Sequence, residues 1–553
     1  MAPLVSLATP SPDFIPGTVH LVDLDGTMHS RHGDGRTRDI VLVPAPSDDP
    51  DDPLNWSPRR KTLFLSCLCV YCLAVGIASA AIYSVLVPIS AATNLTVGDL
   101  NTGTGYMFLA FGWGCLIWQP LAQKLGKRPV YLISLLGTLG MMLWAPHAKS
   151  NGQWIANKVI QGMFGAPIES LCEISIADVY FTHERGTYVG LYALFLVGSN
   201  FLAPVISGFI NDGQGWQWVL HWCAIFNGIG FIIVFFLMEE TNYQRTVTAP
   251  VADPDQADVP TDKIPGHASD EEKAARVQST ANTDIGHGTI HPSTKKSYFE
   301  KLKIIRQQDL RNKVPLTNMV LRTFSYFSFP VVVFSGFMYG AVVCYFNVLN
   351  ATASLILSGS PYNFSSSIVG LSYISCLLGV FLGTYYSGPL GDKFVLWKAR
   401  RNNGIMEPEY RLWLYTALVI MIPGGMILWG VGAAHQIHWV GMLFAMGTLA
   451  AAITIGCQLP ISYCIDCYRD LGADAIVTVI LIRNTMSFAI GYGVTPWVTN
   501  MGYQNAFLVA AFTAFAQLSL FLVFIRWGRQ FRKASVARYW KHVQQVKADG
   551  LLH

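Results

Sequence analysis

The sequence predicts an all-α membrane protein whose twelve transmembrane helices form two pseudo-symmetric six-helix bundles. Three observations lead there. Only 13% of the 553 residues are Asp, Glu, Lys or Arg, while 52% are apolar and 49 are Gly; a soluble chain usually carries ~25% charged residues. The charges are unevenly spread: none occurs over the 69 residues 323–391, the 54 residues 412–465 or the 42 residues 484–525. A polar run from Thr246 to Lys296, rich in Pro, Asp, Thr, Ser and Ala, divides the apolar blocks six from six and has too little apolar surface to fold alone.

Residues 1–61 are polar and rich in Asp and Pro, which predicts a largely disordered cytoplasmic segment. They lack the early apolar core of a signal peptide, so the first span serves as its own address. A spanning helix needs ~20 apolar residues. The apolar blocks place spans at 63–88, 104–122, 129–146, 154–180, 187–210 and 218–238, within an N-terminal bundle at 62–240. Further spans fall at 328–352, 366–388, 412–433, 438–465, 474–498 and 505–527, within a C-terminal bundle at 326–528. Barrel strands would be alternating segments of ~10 residues, and these blocks are continuous and longer. The linker 241–325 ends in a basic amphipathic stretch suited to the membrane surface, and residues 529–553 form a cytoplasmic tail.

Cytoplasmic loops retain Lys and Arg. With both termini inside, the six external loops hold one of the 38 basic residues, Lys149, and two others, Lys158 and Arg483, fall within spans. Four Asn-x-Ser/Thr sequons occur; Asn55 would face the cytosol, whereas Asn94, Asn350 and Asn363 fall in or beside external loops and are candidate glycosylation sites. All eleven Cys lie in or at the ends of spans, so the pairs Cys69/Cys72 and Cys464/Cys467 read as packing rather than as redox or zinc sites. No cofactor or metal motif is present, and no Gly-x-x-x-x-Gly-Lys-Ser/Thr loop points to ATP.

A weak internal repeat supports two equivalent halves. Asp178-Val179-Tyr180 closes span four as Asp466-Cys467-Tyr468 closes span ten, and Pro204 and Pro496 occupy corresponding places in spans five and eleven. Pro120-Leu121-Ala122-Gln123-Lys124 after span two echoes Pro389-Leu390-Gly391-Asp392-Lys393 after span eight. Duplicated six-span halves about an axis along the membrane normal are a transporter architecture, with solute bound near the midplane between them.

Residues 52–527 resemble the major facilitator superfamily, and within it the fungal twelve-span drug:proton antiporters. The loop from Pro120 to Pro129 matches the signature Gly-x-Leu-x-Asp-Arg-x-Gly-Arg-Arg, with Gln123 where Asp is usual and with Lys124, Gly126, Lys127 and Arg128 in place. The Asp version appears in the second half at Asp392, followed by Lys393. Gly190, Ser199, Ala203, Pro204, Ser207 and Gly208 match the antiporter motif of span five; small residues there allow close helix approach. Asp52-Pro53-Leu54-Asn55-Trp56, Gly215-Trp216-Gln217-Trp218 and Glu240-Thr241 also look like that family. Ala166-Pro167-Ile168-Glu169 with His183-Glu184-Arg185-Gly186 is similar to the branch of yeast polyamine and histidinol carriers. The resemblance implies the major facilitator fold, with spans one, four, seven and ten lining the cavity. Tyr83, Ser84, Tyr339, Asn347 and Gln458 are then candidate contacts.

An ionised side chain inside a bilayer costs ~2.5–3.5 kcal/mol or more, so those that persist are candidates for function. Glu169 and Glu173 lie one turn apart on span four, and Lys158, Gly162 and Gly165 project from nearly the same face. Glu169 is the first choice for a proton- or cation-binding carboxylate. Arg483, followed by Asn484, lies at mid-depth in span eleven and can attract an anion or brace a carboxylate of the other half. Asp178, Arg185, Asp466 and Asp470 lie at cytoplasmic helix ends, as gate residues. These residues predict a non-enzymatic, monomeric secondary transporter that exports small organic compounds in exchange for protons. Its partners are the solute, protons and the lipid bilayer, with no nucleic acid, and its place is the plasma membrane, with the vacuolar membrane as alternative. The rival readings are proton-coupled uptake of polyamines or other organic cations and, more remotely, a non-transporting sensor.

Overall fold

The computed structural model describes residues 15–20, 49, 51–243, 300, 302–303, 316–402, 405–468 and 471–548. The linker run from Thr246 to Lys296, most of residues 1–48 and Asp470 lie outside the described residues.

The first half comprises α1 (Pro58–Ala80), α2 (Leu86–Ala92), α3 (Val97–Leu125), α4 (Lys127–Trp144), α5 (Asn151–Gly165), α6 (Pro167–Val179), α7 (Thr182–Gln214) and α8 (Trp216–Leu237). After α9 (Leu316–Ser325), the second half comprises α10 (Pro330–Ser358), α11 (Ser366–Ser372), α12 (Ile374–Tyr385), α13 (Gly391–Arg401), α14 (Tyr415–Ala434), α15 (Trp439–Cys467), α16 (Gly472–Leu518) and α17 (Phe521–Ala548). Among the described residues, nine helical stretches are long and apolar enough to cross a membrane. Three reasons separate nine from twelve. Spans eleven and twelve run into one stretch, span two lies in the more polar α3, and span four is broken between α5 and α6.

Local chemistry sets these boundaries. Thr96 and Asp99 form a reciprocal capping box at the start of α3: the Asp99 N–H donates to Thr96 Oγ1 at 3.1 Å and the Thr96 N–H to Asp99 Oδ2 at 2.9 Å. Gly126, with φ of 99°, reverses the chain between α3 and α4 without a loop. Gly502, with φ of 73°, does the same inside α16 and separates the two spans it contains. Span one was expected to reach residue 88, but α1 ends at Ala80 and a turn through 81–85 leads into α2. Helix α17 continues beyond span twelve through most of the tail, to Ala548.

The two halves meet firmly at one end. Asn101 Nδ2 donates to Thr495 Oγ1 at 3.2 Å and to the Ala351 carbonyl at 3.4 Å. A Cβ on Gly491 would lie 2.7 Å from Gly105 Cα, and one on Gly208 would lie 2.3 Å from the Ser366 carbonyl. Such backbone contact needs small residues on both sides. The opposite end carries Lys127, Arg128 and Arg411 and is called the basic end here. Partial exposure runs toward it through Glu169, Glu173 and Ala177 on α6 and through Ile461, Ser462 and Ile465 on α15. The molecule is therefore closed at one end and approached from the basic end.

Two short segments dock at the basic end. In the N-terminal segment, expected to be largely disordered, residues 15–20 are described: strand β1 (Val19–His20) pairs antiparallel with β2 (Ile405–Met406). From the linker, Leu302 accepts a hydrogen bond through its carbonyl from Arg128 Nη1.

Candidate functional site

The site begins with a proline. Pro167 has no N–H, so it leaves the Met163 carbonyl without its helical donor and kinks span four between α5 and α6. Trp118 of α3 supplies the missing donor, its indole N–H lying 2.7 Å from that oxygen. The kink places Glu169 two residues beyond it, facing the second half.

There Glu169 meets Arg483 of α16, with Oε2 to Nη2 at 2.6 Å. Both side chains are less than a tenth exposed, so the pair is held in a low-dielectric setting where attraction is strong but breaking it is costly. Arg483 also donates from Nη1 to the Tyr339 hydroxyl at 2.9 Å and from Nη2 to Asn484 Oδ1 at 2.7 Å. Its guanidinium carbon stands 4.9 Å from the Tyr339 ring centre. The pair joins the two halves at the wall of a central cavity. Tyr83, Phe111, Tyr339 and Phe346 give the cavity aromatic walls, and Asn347 and Asn350 add polar ones. Ser84 is buried, its hydroxyl has no hydrogen-bond partner among the described residues, and it does not line the cavity.

Glu173 follows one turn along α6, and its Oε2 is buried without a hydrogen-bond partner among the described residues. Among the described residues, the site thus sets two carboxylates against one guanidinium.

Several candidates stand differently from expectation. Lys158 does not share the cavity face. Its Nζ donates to Gln161 Oε1 at 2.9 Å and lies 4.8 Å from the centre of the Trp154 ring, inside the first half. Gly162 and Gly165 face α3, against Met107 and Phe111, because the kink turns α5 away from the line of α6. Gln458 also leaves the cavity wall; it accepts a hydrogen bond from Ser387. Asn350 is a poor sequon, since it is buried in α10, lines the cavity and accepts from the Tyr373 hydroxyl at 3.2 Å. Asn94 and Asn363 are exposed.

At the basic end, the motif loop closes on its own half. Lys127 pairs with Asp178, and the Lys127 and Arg128 N–H groups donate to the Glu240 carboxylate at 3.0 and 2.9 Å. Arg128 also donates to the Phe235 carbonyl at 2.6 Å. Gln123 takes part through its backbone carbonyl, 3.4 Å from Asn242 Nδ2; Lys124 and the turn at Gly126 shape the loop. In the second half, the motif residue Lys393 is exposed and does not take the place that Lys127 holds against Asp178. Arg411 takes that place, with Nε 2.7 Å from Asp466 and Nη1 3.2 Å from Asp392. Arg411 escaped the sequence reading because it lies outside both motif loops. Arg185 falls in the first turn of α7, and its side chain lies outside the described residues.

The span-five motif packs rather than binds. Ser199 abuts Gly76, where a Cβ would lie 2.0 Å from Ser199 Oγ, and Pro204 and Gly208 face α11 of the second half. Ala203 and Ser207 are buried beside them. Gly190 has open space around it.

The chain is 29% identical to an uncharacterized MFS-type transporter of Schizosaccharomyces pombe, over 95% of this chain and 94% of that one. It is 25% identical to the protein HOL1 of Saccharomyces cerevisiae, over 94% and 96% of the two chains. A multidrug transporter of Candida glabrata matches at 24%, over 89% and 79%. Among solved structures, a D-xylose–proton symporter superimposes with a TM-score of 0.54 at 12% identity, over 83% of this chain and 97% of that one, which is a likeness of fold. The profile of the Major Facilitator Superfamily matches residues 65–465. With the paired helical halves and the cavity between them, that match over most of its length shows that the chain is a membrane transporter belonging to the Major Facilitator Superfamily.

Proposed function

We infer that this transporter exports small organic compounds in exchange for protons, with Glu169 and Glu173 as the carboxylates that carry the proton. The observation that supports this reading is that two carboxylates one turn apart stand at the junction of the halves beside a single guanidinium, Glu169 paired with Arg483 and Glu173 holding a buried oxygen that no described residue bonds. Protonating Glu169 removes its attraction to Arg483 and releases the tie between the halves; deprotonation restores it. Glu173, with no cation of its own, takes a proton or the positive end of a solute whose apolar part lies against Tyr83, Phe111 and Phe346. By the placement of Lys and Arg the basic end faces the cytosol, so the cavity loads from inside the cell. Each proton supplies ~2.3 kcal/mol per 100 mV and ~1.4 kcal/mol per pH unit. The likeness to a multidrug transporter supports small drug-like organic compounds as the solute.

A second reading, uptake of polyamines or other organic cations with protons, is favoured by the same unneutralised Glu173. The two are separated by measuring radiolabelled spermidine uptake and efflux of a cationic dye in cells expressing the chain, alongside Glu169→Gln, from pH 5 to 8. Export predicts faster dye efflux that is lost in the variant. Spermidine accumulation without dye efflux overturns export, and identical fluxes in wild type and variant at every pH overturn the role of Glu169.

A further inference from the structure

A second cavity, open along one side, lies on the flank of the C-terminal half, between α10 and the two segments of α16. It shares no lining residue with the central cavity; α10 stands between them, turning Tyr339 and Asn347 to one side and Cys344, Tyr345 and Val348 to the other. The walls are largely apolar, with Met486 and Ile490 before Gly502 and Ala510 after it. At its rim Ala489, Val509 and Thr513 are exposed on faces of membrane-crossing helices. The opening therefore gives onto hydrocarbon rather than water.

One polar feature breaks the apolar lining, and its depth decides what fits. Tyr345 is at the middle of the 29-residue α10, and its hydroxyl donates to Gln517 Oε1 at 2.7 Å. Gln517 lies ~21 Å along the second segment of α16 at 1.5 Å per residue, so the pair sits near the midplane. That bond uses the Gln517 carbonyl. The amide Nε2 has no hydrogen-bond partner among the described residues, and the half-buried side chain lines the cavity. Thr513, at the rim, offers no donor, because its hydroxyl is engaged with the Val509 carbonyl at 2.7 Å.

An amide N–H without an acceptor in hydrocarbon is unfavourable by several kcal/mol. Lipid acyl chains bring no acceptor to the midplane, and phospholipid esters and sterol hydroxyls stay at the interface. We propose that this cavity is a binding site for a neutral, apolar small molecule bearing a carbonyl or ether oxygen, taken up from the bilayer, with Gln517 Nε2 as its hydrogen-bond donor. The site is distinct from the central cavity in place and in chemistry: the central site presents charge, and this one presents only neutral groups.

The test uses the full chain in lipid nanodiscs with benzophenone, which is neutral, partitions into lipid, accepts a hydrogen bond at its ketone and, on irradiation, adds across a nearby C–H bond with no leaving group. Mass spectrometry should place most adducts on residues 341–348, 486–490 and 509–517. Gln517→Leu should lower that yield about fivefold, and Ala510→Phe, which fills the cavity, should lower it at least tenfold, with thermal unfolding of both variants within a few degrees of wild type. Diphenylmethane, which lacks only the ketone, should compete at least fivefold less well than unlabelled benzophenone. Adducts spread evenly over the lipid-facing helices, equal competition by diphenylmethane, or full labelling of a folded Gln517→Leu would each overturn the proposal. Labelling of Tyr339 and Phe346 instead would assign benzophenone to the central cavity and overturn it too. None of these outcomes depends on proton coupling or on the solute of the central site.

Discussion

Trp118 and Met163 are joined by a single hydrogen bond, indole N–H to main-chain carbonyl at 2.7 Å, that compensates for the donor missing at Pro167. Without it a backbone carbonyl would stand unpaired inside the bilayer beside the residue pair that joins the halves. Trp118→Phe keeps the ring and removes the donor. It should destabilise the protein by about 1–3 kcal/mol, read as a lower thermal unfolding midpoint in detergent, and it should weaken solute flux more than a Trp118→Tyr control of similar bulk if the kink positions Glu169. An unchanged midpoint for Trp118→Phe would show that another group satisfies the carbonyl.

That bond illustrates how far the sequence could be read. Pro167 and Glu169 are legible locally, because a proline inside an apolar block announces a kink and a buried carboxylate announces a function. The partner Trp118 is not, since it lies 45 residues away and one aromatic in a membrane span looks like another. The same limit explains Lys158: helical periodicity put it on the face of Glu169, and the kink rotated that face onto α3. Arg483 was legible as a charge but its partner was not, because pairing across halves depends on packing. Arg411 was missed outright, being one basic residue among many at a helix end.

Arg411 bridges Asp466, at the tip of a cavity-lining helix, to Asp392 of the motif loop. All three groups lie at the basic end, where the halves must approach if the cavity is to close there. Arg411→Gln leaves two carboxylates facing each other without a cation. Flux should fall at least threefold, while Arg411→Lys, which keeps the charge but not the forked geometry, should recover part of it. Because the guanidinium is partly exposed, the loss of folding stability should stay near 1 kcal/mol or less; a large drop in unfolding midpoint with normal flux would make Arg411 a structural brace rather than a gate.

Glycan occupancy offers a check on burial. Asn350 lines the central cavity and is 2% exposed, whereas Asn94 and Asn363 are exposed in turns. Asn350→Gln should leave electrophoretic mobility unchanged before and after endoglycosidase treatment, and any glycan should disappear with Asn94→Gln and Asn363→Gln together. A mobility shift caused by Asn350→Gln alone would place that side chain at the surface and would falsify the packing of α10.

The N-terminal segment makes the last prediction, because its docking rests on three independent contacts. Arg532 of α17, fully buried, holds Glu409 at 2.9 and 2.8 Å and has donors left for the Pro16 carbonyl at 2.7 Å and Thr18 Oγ1 at 3.1 Å. Gly17 takes φ of 88° and lies so near the end of α15 that a Cβ would be 2.7 Å from the Asp466 carbonyl and 2.9 Å from Cys467 Cα. Val19 and His20 then pair with Met406 and Ile405. Gly17→Val offends both the backbone angle and the contact, so it should release the segment while leaving the bundle folded. A cysteine reports this cleanly, since all eleven native cysteines are buried. In detergent-solubilised protein, P16C, which keeps the carbonyl that Arg532 uses, should react with a hydrophilic maleimide at least tenfold more slowly than N402C on the exposed end of α13. Adding Gly17→Val should bring the two rates within threefold. Equal rates without Gly17→Val would mean that residues 15–20 do not dock, and a slow P16C that Gly17→Val leaves slow would mean that Arg532 and the strand pairing hold the segment without help from the glycine.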